Sequence, residues 1–350
     1  SDLTWSVAQV PSKYTTIKEA MEHALDGKAT LLYAQGSNIW RNQELQKNGE
    51  LGKPINWGDE TEMKNEALKI AKEADVIVCT MGECADMSGE CGSRTNLEMP
   101  DVQHELLSEL VKLGKPVVLL NFAGRPTVLT WEKQHVPAIM NVWFGGSEMG
   151  DALCDVLFGD KVPSGKLTTS MPKTTGQEPI YYNHQNTGRP VADDNKKFAK
   201  FASNCLDVSN GPLYPFGYGL SYTTFEYSNF RLSSQEADIN GNQEATEWQN
   251  GKNITATITV KNTGNRDADE IVQLYIRDMV ASISRPVKEL KGFQRIHLAV
   301  GESKEVSFEI TPDMLKFYNA DLKHIIEPGD FQIMIGTNSK EVEALSMSGV

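Results

Sequence analysis

Short apolar runs alternate with amphipathic helical patterns over the first 160 residues. The runs Asp75–Thr80, Pro116–Asn121 and Ala138–Trp143 are almost wholly apolar, as strands buried on both faces are. Between the runs, apolar residues recur every three to four positions in Glu60–Glu73 and Val102–Leu113, which predicts helices. Strands that alternate with helices predict βαβ units and a parallel sheet.

Weaker patterns flank these elements. Helical spacing predicts a helix over Ile17–Ala24, a short helix that ends near Glu132 and a helix over Glu148–Phe158. The apolar run Thr30–Ala34 is followed by turn-forming residues, which predicts one more short strand. The N-terminal part of the chain is therefore expected to be an α/β domain.

From Thr223 onward the apolar period changes to two. Ile254–Lys261 alternates strictly, and Ile271–Arg277, Val306–Ile310 and Phe331–Ile335 are further predicted strands separated by turn signals. Short strands at this spacing are typical of an antiparallel β-sandwich.

Residues 160–220 are rich in Pro, Gly, Asn and aromatic residues and show little periodicity. A stretch this long is expected to be functional or packed down rather than a free linker. We therefore predict two domains. Residues 1–220 form the α/β domain with its long loop, and residues 221–350 form the all-β domain.

The charge of the chain narrows the class of partner. The net charge of −13 argues against nucleic acid or an anionic membrane, and a neutral partner such as a sugar fits better. No run approaches the roughly 18 apolar residues of a membrane span. The first residues carry neither the basic start nor the apolar core of a signal peptide.

Five cysteines are an odd number for a disulfide framework. Cys84 and Cys91 share a loop and can pair, contribute to a metal site or remain thiols. No CxxC occurs and no histidine lies at zinc-ligand spacing from them, so we favour free or occasionally paired thiols and expect no metal.

Candidate chemistry concentrates in the stretch Met81–Pro100, which follows the first predicted buried strand. It contains three acids, Glu83, Asp86 and Glu90, and one arginine, Arg94. Open α/β sheets bind ligands beyond the carboxyl ends of their strands, so this loop is the expected site.

Each candidate has two interpretations. Glu83 and Glu90 are two carboxylates in one loop, as glycoside hydrolysis requires, although loop acids are more often merely solvated. Arg94 can clamp a substrate hydroxyl or hold a loop carboxylate in a structural ion pair. Trp143 can be a sugar-stacking platform or part of ordinary packing.

Ordered motifs along nearly the whole chain resemble the C-terminal portion of family 3 glycoside hydrolases of the bacterial periplasmic β-glucosidase type. Each motif alone is weak evidence, and their order makes the resemblance specific. The matching motifs are Gly82-Glu83 with Ser93–Leu97, Gly114–Asn121 with Gly124–Pro126, Trp143–Gly146, Asp155–Asp160, Pro163–Leu167, Tyr181–His184 with Asn186–Pro190, Leu213–Thr223 and Ser284–Phe293.

The resemblance implies a fold of class α/β plus all-β. It implies an α/β sandwich with a mostly parallel sheet, followed by a fibronectin type III-like antiparallel β-sandwich. In the family a (β/α)₈ barrel precedes these domains and holds the aspartate nucleophile and most glucose-binding residues. We expect that barrel, and the first strand of the α/β sheet, to be missing from this chain.

The resemblance also implies roles for residues of the loop. The glutamate just before the Ser-Arg pair is Glu90, which is our first choice for the general acid/base, with Glu83 the second. Arg94, Asp86 and Trp143 are expected to contact substrate. No cofactor and no metal are implied.

The implied function is retaining hydrolysis of terminal β-D-glucosyl residues of oligosaccharides, as part of a longer β-glucosidase. The fragment alone is expected to be inactive, with the barrel as its partner in cis, and a homodimer is left open. The location implied is periplasmic or secreted.

The segment Lys200–Asp207 departs from the family pattern. The alternative is a non-catalytic glycan-binding or interaction module.

Overall fold

The computed structural model describes residues 14–42, 58–84, 87–88, 92–195, 197–234, 246–248 and 252–349. Spatial contacts divide the chain into two units: Ser1–Asp160 with Pro172–Glu178, and Lys161–Met171 with Pro179–Val350. Because this division follows contacts rather than sequence relationship, the predicted domain boundary after residue 220 stays a prediction.

The first unit is an α/β structure, as the sequence predicts. Its described elements are α1 (Ile17–Leu25), α2 (Glu60–Glu73), β1 (Ile77–Gly82), α3 (Asp101–Val111), β2 (Val117–Phe122), α4 (Thr130–His135), β3 (Ala138–Asn141), α5 (Met149–Leu157) and a 3₁₀ turn at Thr175–Gln177.

The three strands form a parallel sheet in the order β1-β2-β3. Strand β1 pairs with β2 from Ile77 opposite Val117 to Gly82 opposite Phe122. The prediction of a parallel sheet is therefore confirmed. All three strands end at the same edge, so the residues that follow them are brought together there.

The core of this unit lies between helices α2 and α3 and the sheet. Apolar side chains of α2, α3, β1 and β2 form one buried cluster, in which Leu107 of α3 and Leu119 of β2 are fully buried. A separate cluster joins Ala20 and Met21 of α1 to Cys154 of α5. The 3.6-residue spacing that predicts these helices is the spacing of their buried faces.

Helix α1 begins with a cap at Thr16. The Thr16 hydroxyl accepts a hydrogen bond from the Glu19 backbone N–H at 3.2 Å. In return, the Glu19 carboxylate accepts one from the Thr16 backbone N–H at 2.9 Å. This capping box satisfies two backbone donors that the first turn of a helix leaves without partners.

Three sequence predictions differ from the structure. Thr30–Ala34 is not in a strand, and exposed Tyr33 lies beneath the Lys18 ammonium group instead. Helix α4 ends at His135 rather than near Glu132; it begins at Thr130, after Val128 has paired with the loop ahead of α3 and donated to the Leu97 carbonyl. Strand β3 ends at Asn141 rather than two residues later.

The second unit contains two main β-sheets. Its described strands are β4 (Phe225–Ser234), β5 (Thr246–Trp248), β6 (Ile254–Asn262), β7 (Ala268–Asp278), β8 (Glu289–Leu298), β9 (Ser303–Ile310), β10 (Phe317–Tyr318), β11 (His324–Ile325), β12 (Gly329–Gly336) and β13 (Val342–Gly349), with a short helix α6 (Pro312–Leu315). One sheet has the order β5-β13-β12-β7-β8 and the other β4-β6-β9.

The two sheets share one hydrophobic core. Ile258 of β6 belongs to the three-stranded sheet, whereas Leu274 of β7 and Ile333 of β12 belong to the five-stranded sheet, and all three are fully buried in one cluster. Apart from β5 with β13, the described pairings within these sheets are antiparallel. The predicted antiparallel sandwich is confirmed.

Segments of the long loop pack onto this sandwich. Lys166 donates to both carboxylate oxygens of Glu270 at 3.2 and 3.3 Å, and the Tyr227 hydroxyl donates to the same carboxylate at 3.0 Å. Met171 pairs with Tyr214 within the loop. Buried Glu270 thus has its partners, and these segments of the loop are packed down, whereas most residues from 181 to 207 are exposed.

The described helices are short, and the longest is α2 with 14 residues. None of the described helices combines the length and the apolar character needed to cross a membrane.

Gly82→Ala is expected to lower the free energy of unfolding around the sheet by at least about 3 kcal/mol. Gly82 has φ +131°, and a Cβ there would lie 1.9 Å from the Phe122 carbonyl oxygen of the neighbouring strand. Native-state hydrogen exchange of the β2 amides measures this local free energy.

Gly114→Ala is the matched control. Its φ is +70°, but a Cβ there meets nothing within 4 Å, so only backbone strain of roughly 1 kcal/mol is expected. If both variants lose the same free energy of unfolding, the close approach of β1 to β2 is not the reason that glycine is required at position 82.

Candidate active site

The residues that follow the three parallel strands come together at the carboxyl edge of the sheet. Glu83 follows β1, Gly124 and Arg125 follow β2, and Trp143 and Phe144 follow β3. A Cβ on Gly124 would meet the Phe144 ring at 2.9 Å, so the ends of β2 and β3 are in close contact. The sequence rule that pointed to this edge is therefore correct for Glu83.

Glu83 is the centre of a buried ion-pair network. Its side chain is 1% exposed. One carboxylate oxygen accepts from Arg94 Nη1 at 2.7 Å. The other accepts from Arg125 Nε and from the Gly124 backbone N–H, both at 3.3 Å. Two cations and a backbone donor thus surround a carboxylate that has lost its water.

Arg94 is committed to this network. Besides Glu83, its guanidinium donates to the Glu98 carbonyl at 2.9 Å and lies over the Trp40 ring at 5.6 Å. The Arg94 side chain is only 8% exposed. Of the two roles considered for Arg94, the structural ion pair is present. A direct contact with substrate stays a prediction.

Arg125 forms hydrogen bonds to the loop from the end of β2. Its Nη2 donates to the Met87 carbonyl, and its Nε lies close to both oxygens of Glu83. The loop after β1 is therefore attached to the end of β2. Arg125 was not predicted as a site residue from the sequence. Its position directly after a buried parallel strand is the signal that could have identified it.

Gln103 of α3 fixes the point where the loop begins. Its side-chain oxygen accepts from the Gly82 N–H at 2.7 Å, and its Nε2 donates to the Gly82 carbonyl at 2.9 Å and to the Ile39 carbonyl at 2.8 Å. Gln103 is buried, so these bonds satisfy backbone groups that water does not reach. A polar residue on the apolar face of α3 is the sequence signal for this role.

Glu90 and Asp86 lie outside the described residues, as does Cys91. The chain on each side of Glu90 is anchored. A Cβ on Gly124 would lie 1.9 Å from the Ser88 hydroxyl oxygen, so Ser88 is tight against the end of β2. Six residues further on, the chain is held again at Arg94.

Trp143 has a left-handed backbone with φ 58°, which is uncommon for a residue with a bulky side chain. Strained conformations of this kind cluster at functional sites. The strain accounts for the early end of β3 and turns the chain just beyond the sheet edge. Whether Trp143 is a sugar platform stays a prediction.

The geometry favours a positioning role for Glu83 over proton transfer. Its carboxylate oxygens already accept from three donors, and its side chain faces no water. A general acid must reach the oxygen that it protonates, so this environment suits Glu83 poorly. Its second-choice catalytic assignment stays a prediction.

The described residues contain no cluster of three or more His, Cys, Asp or Glu side chains that could hold a metal ion. Cys79, Cys154 and Cys205 form no disulfide. Burial raises the pKa of the Cys79 thiol to about 12, which disfavours the thiolate that binds metals and reacts. The interpretation of Cys84 and Cys91 stays a prediction, because Cys91 lies outside the described residues.

Arg94→Met is expected to lower the local free energy of unfolding by roughly 3–5 kcal/mol, because it leaves the buried Glu83 carboxylate without its nearest cation. Native-state hydrogen exchange of β1 and β2 is the measurement. The double variant Glu83→Gln/Arg94→Met should lower the local free energy of unfolding by less than the sum of the losses of the two single variants.

The control is Arg231→Met. Arg231 pairs with Glu305 at the same distance of 2.7 Å, but both side chains are exposed. This pair should contribute less than about 1 kcal/mol. A loss at Arg94 as small as the loss at Arg231 would contradict the view that the loop depends on the buried pair.

Curated relatives match almost the whole chain. It is 43% identical to the periplasmic β-glucosidase of Salmonella typhimurium over 343 residues, which are 97% of this chain and 43% of that protein. It is 35% identical to a β-xylosidase of Formosa agariphila, again over 97% of this chain and 42% of the relative. The chain thus spans less than half the length of these relatives.

Solved structures agree with this similarity. A β-glucosidase from Listeria innocua, crystallised with glucose, has a TM-score of 0.76 and 38% identity over 85% of this chain and 39% of its own. A β-glucosidase from Erythrobacter marinus has a TM-score of 0.81 and 31% identity over 96% of this chain and 43% of its own.

Two family profiles match separate parts of the chain. The fibronectin type III-like domain matches residues 270–339, within the β-sandwich. The glycosyl hydrolase family 3 C-terminal domain matches residues 3–222, which include the carboxyl edge and its ion-pair network. The resemblance inferred from the ordered motifs is confirmed, and the chain belongs to the glycosyl hydrolase family 3 C-terminal domain family.

Proposed function

We propose that this chain is the C-terminal part of a retaining β-glucosidase that hydrolyses terminal β-D-glucosyl residues of oligosaccharides. The observation that carries the proposal is 43% identity to a periplasmic β-glucosidase over 97% of the chain. The chain spans 43% of that relative. As the family resemblance implies, we assign the nucleophile to a barrel that precedes these domains in the whole protein. The same relative supports a periplasmic or secreted location.

Glu90 is the proposed general acid/base. It precedes Ser93-Arg94, as the acid/base glutamate of the family does. The anchors at Ser88 and Arg94 support this role. In the sequence, Glu90 lies between these two anchored residues, two positions after Ser88 and four before Arg94.

The proposed reaction has two steps. The barrel aspartate attacks the anomeric carbon while Glu90 gives its proton to the leaving glycosidic oxygen, which produces a glycosyl-enzyme and a free alcohol. Glu90 then removes a proton from water as the water oxygen attacks the anomeric carbon and frees the aspartate. Retaining geometry requires the two carboxyl groups to be about 5 Å apart.

Residues of this chain hold the acid/base loop for that reaction. The Glu83 carboxylate, with Arg94 and Arg125, fixes the loop against the ends of the strands. Loose placement of an acid/base residue by about 1 Å costs orders of magnitude in rate, so a rigid support has catalytic value. Trp143, at the same edge, and Asp86 are the proposed substrate contacts.

The 350-residue chain alone should not hydrolyse 4-nitrophenyl β-D-glucoside, because half of the carboxylate pair is outside it. Fusion of the chain to the N-terminal part of the Salmonella typhimurium relative should restore turnover, measured by nitrophenolate release. Robust turnover by the unfused chain, or a folded fusion that is inactive, would contradict the proposal.

Glu90→Gln in the active fusion should slow hydrolysis of glucosides with poor leaving groups by roughly 10²–10⁴-fold. The first step should be slowed less for dinitrophenyl glucosides, because their leaving group needs no proton. Single-turnover kinetics for both substrates measure the difference. Glu83→Gln is the control and should slow both substrates alike; a similar uniform loss for Glu90→Gln would remove the acid role from Glu90.

A further inference from the structure

A groove of about 980 Å³ lies in the first unit, bordered by the segment after the candidate loop and by helices α3 and α4. Binding pockets for small ligands span roughly 300–1,000 Å³, so the groove can hold a molecule of several rings. Its lining includes Trp40, His104, Trp131, Glu132 and Gln134. The proposed hydrolysis assigns no role to these five residues.

A histidine–carboxylate pair is built into the wall of this groove. The Glu132 carboxylate, whose residue is 3% exposed, lies 3.3 Å from Nδ1 of His104. An ionised carboxylate only accepts, so Nδ1 carries the hydrogen and Nε2 keeps a free lone pair. Among the described residues no hydrogen bond reaches Nε2, and the His104 side chain is 39% exposed.

The pair is held in a stack of rings. The Trp131 indole meets the His104 imidazole edge-on with centroids 4.7 Å apart, and it stacks on His135 at 4.4 Å. His135 in turn bonds the Trp131 carbonyl at 2.8 Å. These contacts fix the orientation of the imidazole. A ligand would meet His104 already in place, which reduces the entropy lost on binding.

The burial of Glu132 is costly by itself. Burial raises its pKa, and the hydrogen bond from His104 acts in the opposite direction. A carboxyl group perturbed by burial and by a specific partner, at the wall of a groove, is characteristic of functional sites.

A second pair in the chain shows what a surface arrangement looks like. His297 Nδ1 lies 2.8 Å from the Asp269 carboxylate, but Arg295 also neutralises that carboxylate at 2.6 Å. The imidazole of His297 is exposed on the β-sandwich and lines neither this groove nor the smaller pocket at Ser221–Asn265. The groove and the indole rings therefore distinguish His104.

The lining indicates the class of ligand. Two indole rings, Trp40 and Trp131, stand among hydroxyl and amide groups such as those of Thr95, Asn96 and Gln134. Four acids against two basic side chains in the lining disfavour an anion. A neutral polyhydroxylated molecule offers apolar C–H faces to the rings and hydroxyl groups to the polar atoms.

We propose that this groove, whose lining also includes Arg94 of the ion-pair network, binds a saccharide, and that Nε2 of His104 accepts a hydrogen bond from a sugar hydroxyl. The indole rings contact the apolar face of the sugar, and Glu132 acts as a positioning residue that orients His104. Binding here requires no turnover, so the site stands whether or not the proposed hydrolysis is correct.

The test is titration of the 350-residue chain with cellotetraose, followed by calorimetry and by two-dimensional NMR of the backbone amides. Saturable binding with shifts at α3 and α4 is expected. His104→Ala should weaken it by roughly three- to tenfold, the effect of one lost hydrogen bond. His297→Ala is the matched control and should leave binding unchanged.

Gln134→Trp serves where His104→Ala alters the fold. Gln134 is exposed and lines the groove, so the larger side chain fills the groove without removing a core contact. It should abolish binding in a chain with unchanged circular dichroism. No saturable binding of cellotetraose, or binding that survives Gln134→Trp at full affinity, would overturn the inference.

Discussion

The buried carboxylate of Glu83 is the interaction on which the carboxyl edge of the sheet depends. It lies between two guanidinium groups that come from different parts of the chain, one in the returning loop and one at the end of β2. Burying any one of these charges alone would be unfavourable, so each requires the others in place. The described parts of the loop are thus held by these charges, together with the buried side chains of Met87 and Met99.

Uncharged hydrogen bonds hold the start of the loop. The Gln103 side chain is hydrogen-bonded to both backbone groups of Gly82, and Gly82 lies so close to β2 that no side chain larger than a hydrogen atom fits between them. Because α3 supplies Gln103 and β1 and β2 supply the backbone, the loop starts from the most rigid part of the unit. Functional side chains are placed most accurately when regular elements support them.

The sequence predicts the elements well where burial alone decides them. Strand β2 is an apolar run that is buried or half-buried along its whole length, as expected of a strand covered on both faces. In β1, Val78 and Thr80 are exposed, so the apolar run predicted the strand correctly but not its burial on both faces. Helices α2 and α3 show the spacing of their buried sides. Thr30–Ala34 has the same local pattern but pairs with no strand among the described residues. A local pattern cannot show whether such a partner strand exists. Arg125 and Gln103 were missed for the same reason, since their partners lie 42 and 21 residues away in the chain.

The route of the chain through the two units has a consequence for dissection of the molecule. The backbone leaves the first unit after Asp160, returns to it for Pro172–Glu178 and then leaves again. The units are therefore interlaced along the chain rather than arranged in series. A single scission after residue 160 or 178 deprives one unit of a segment that it needs, and only exchange of both segments together would transplant either unit whole.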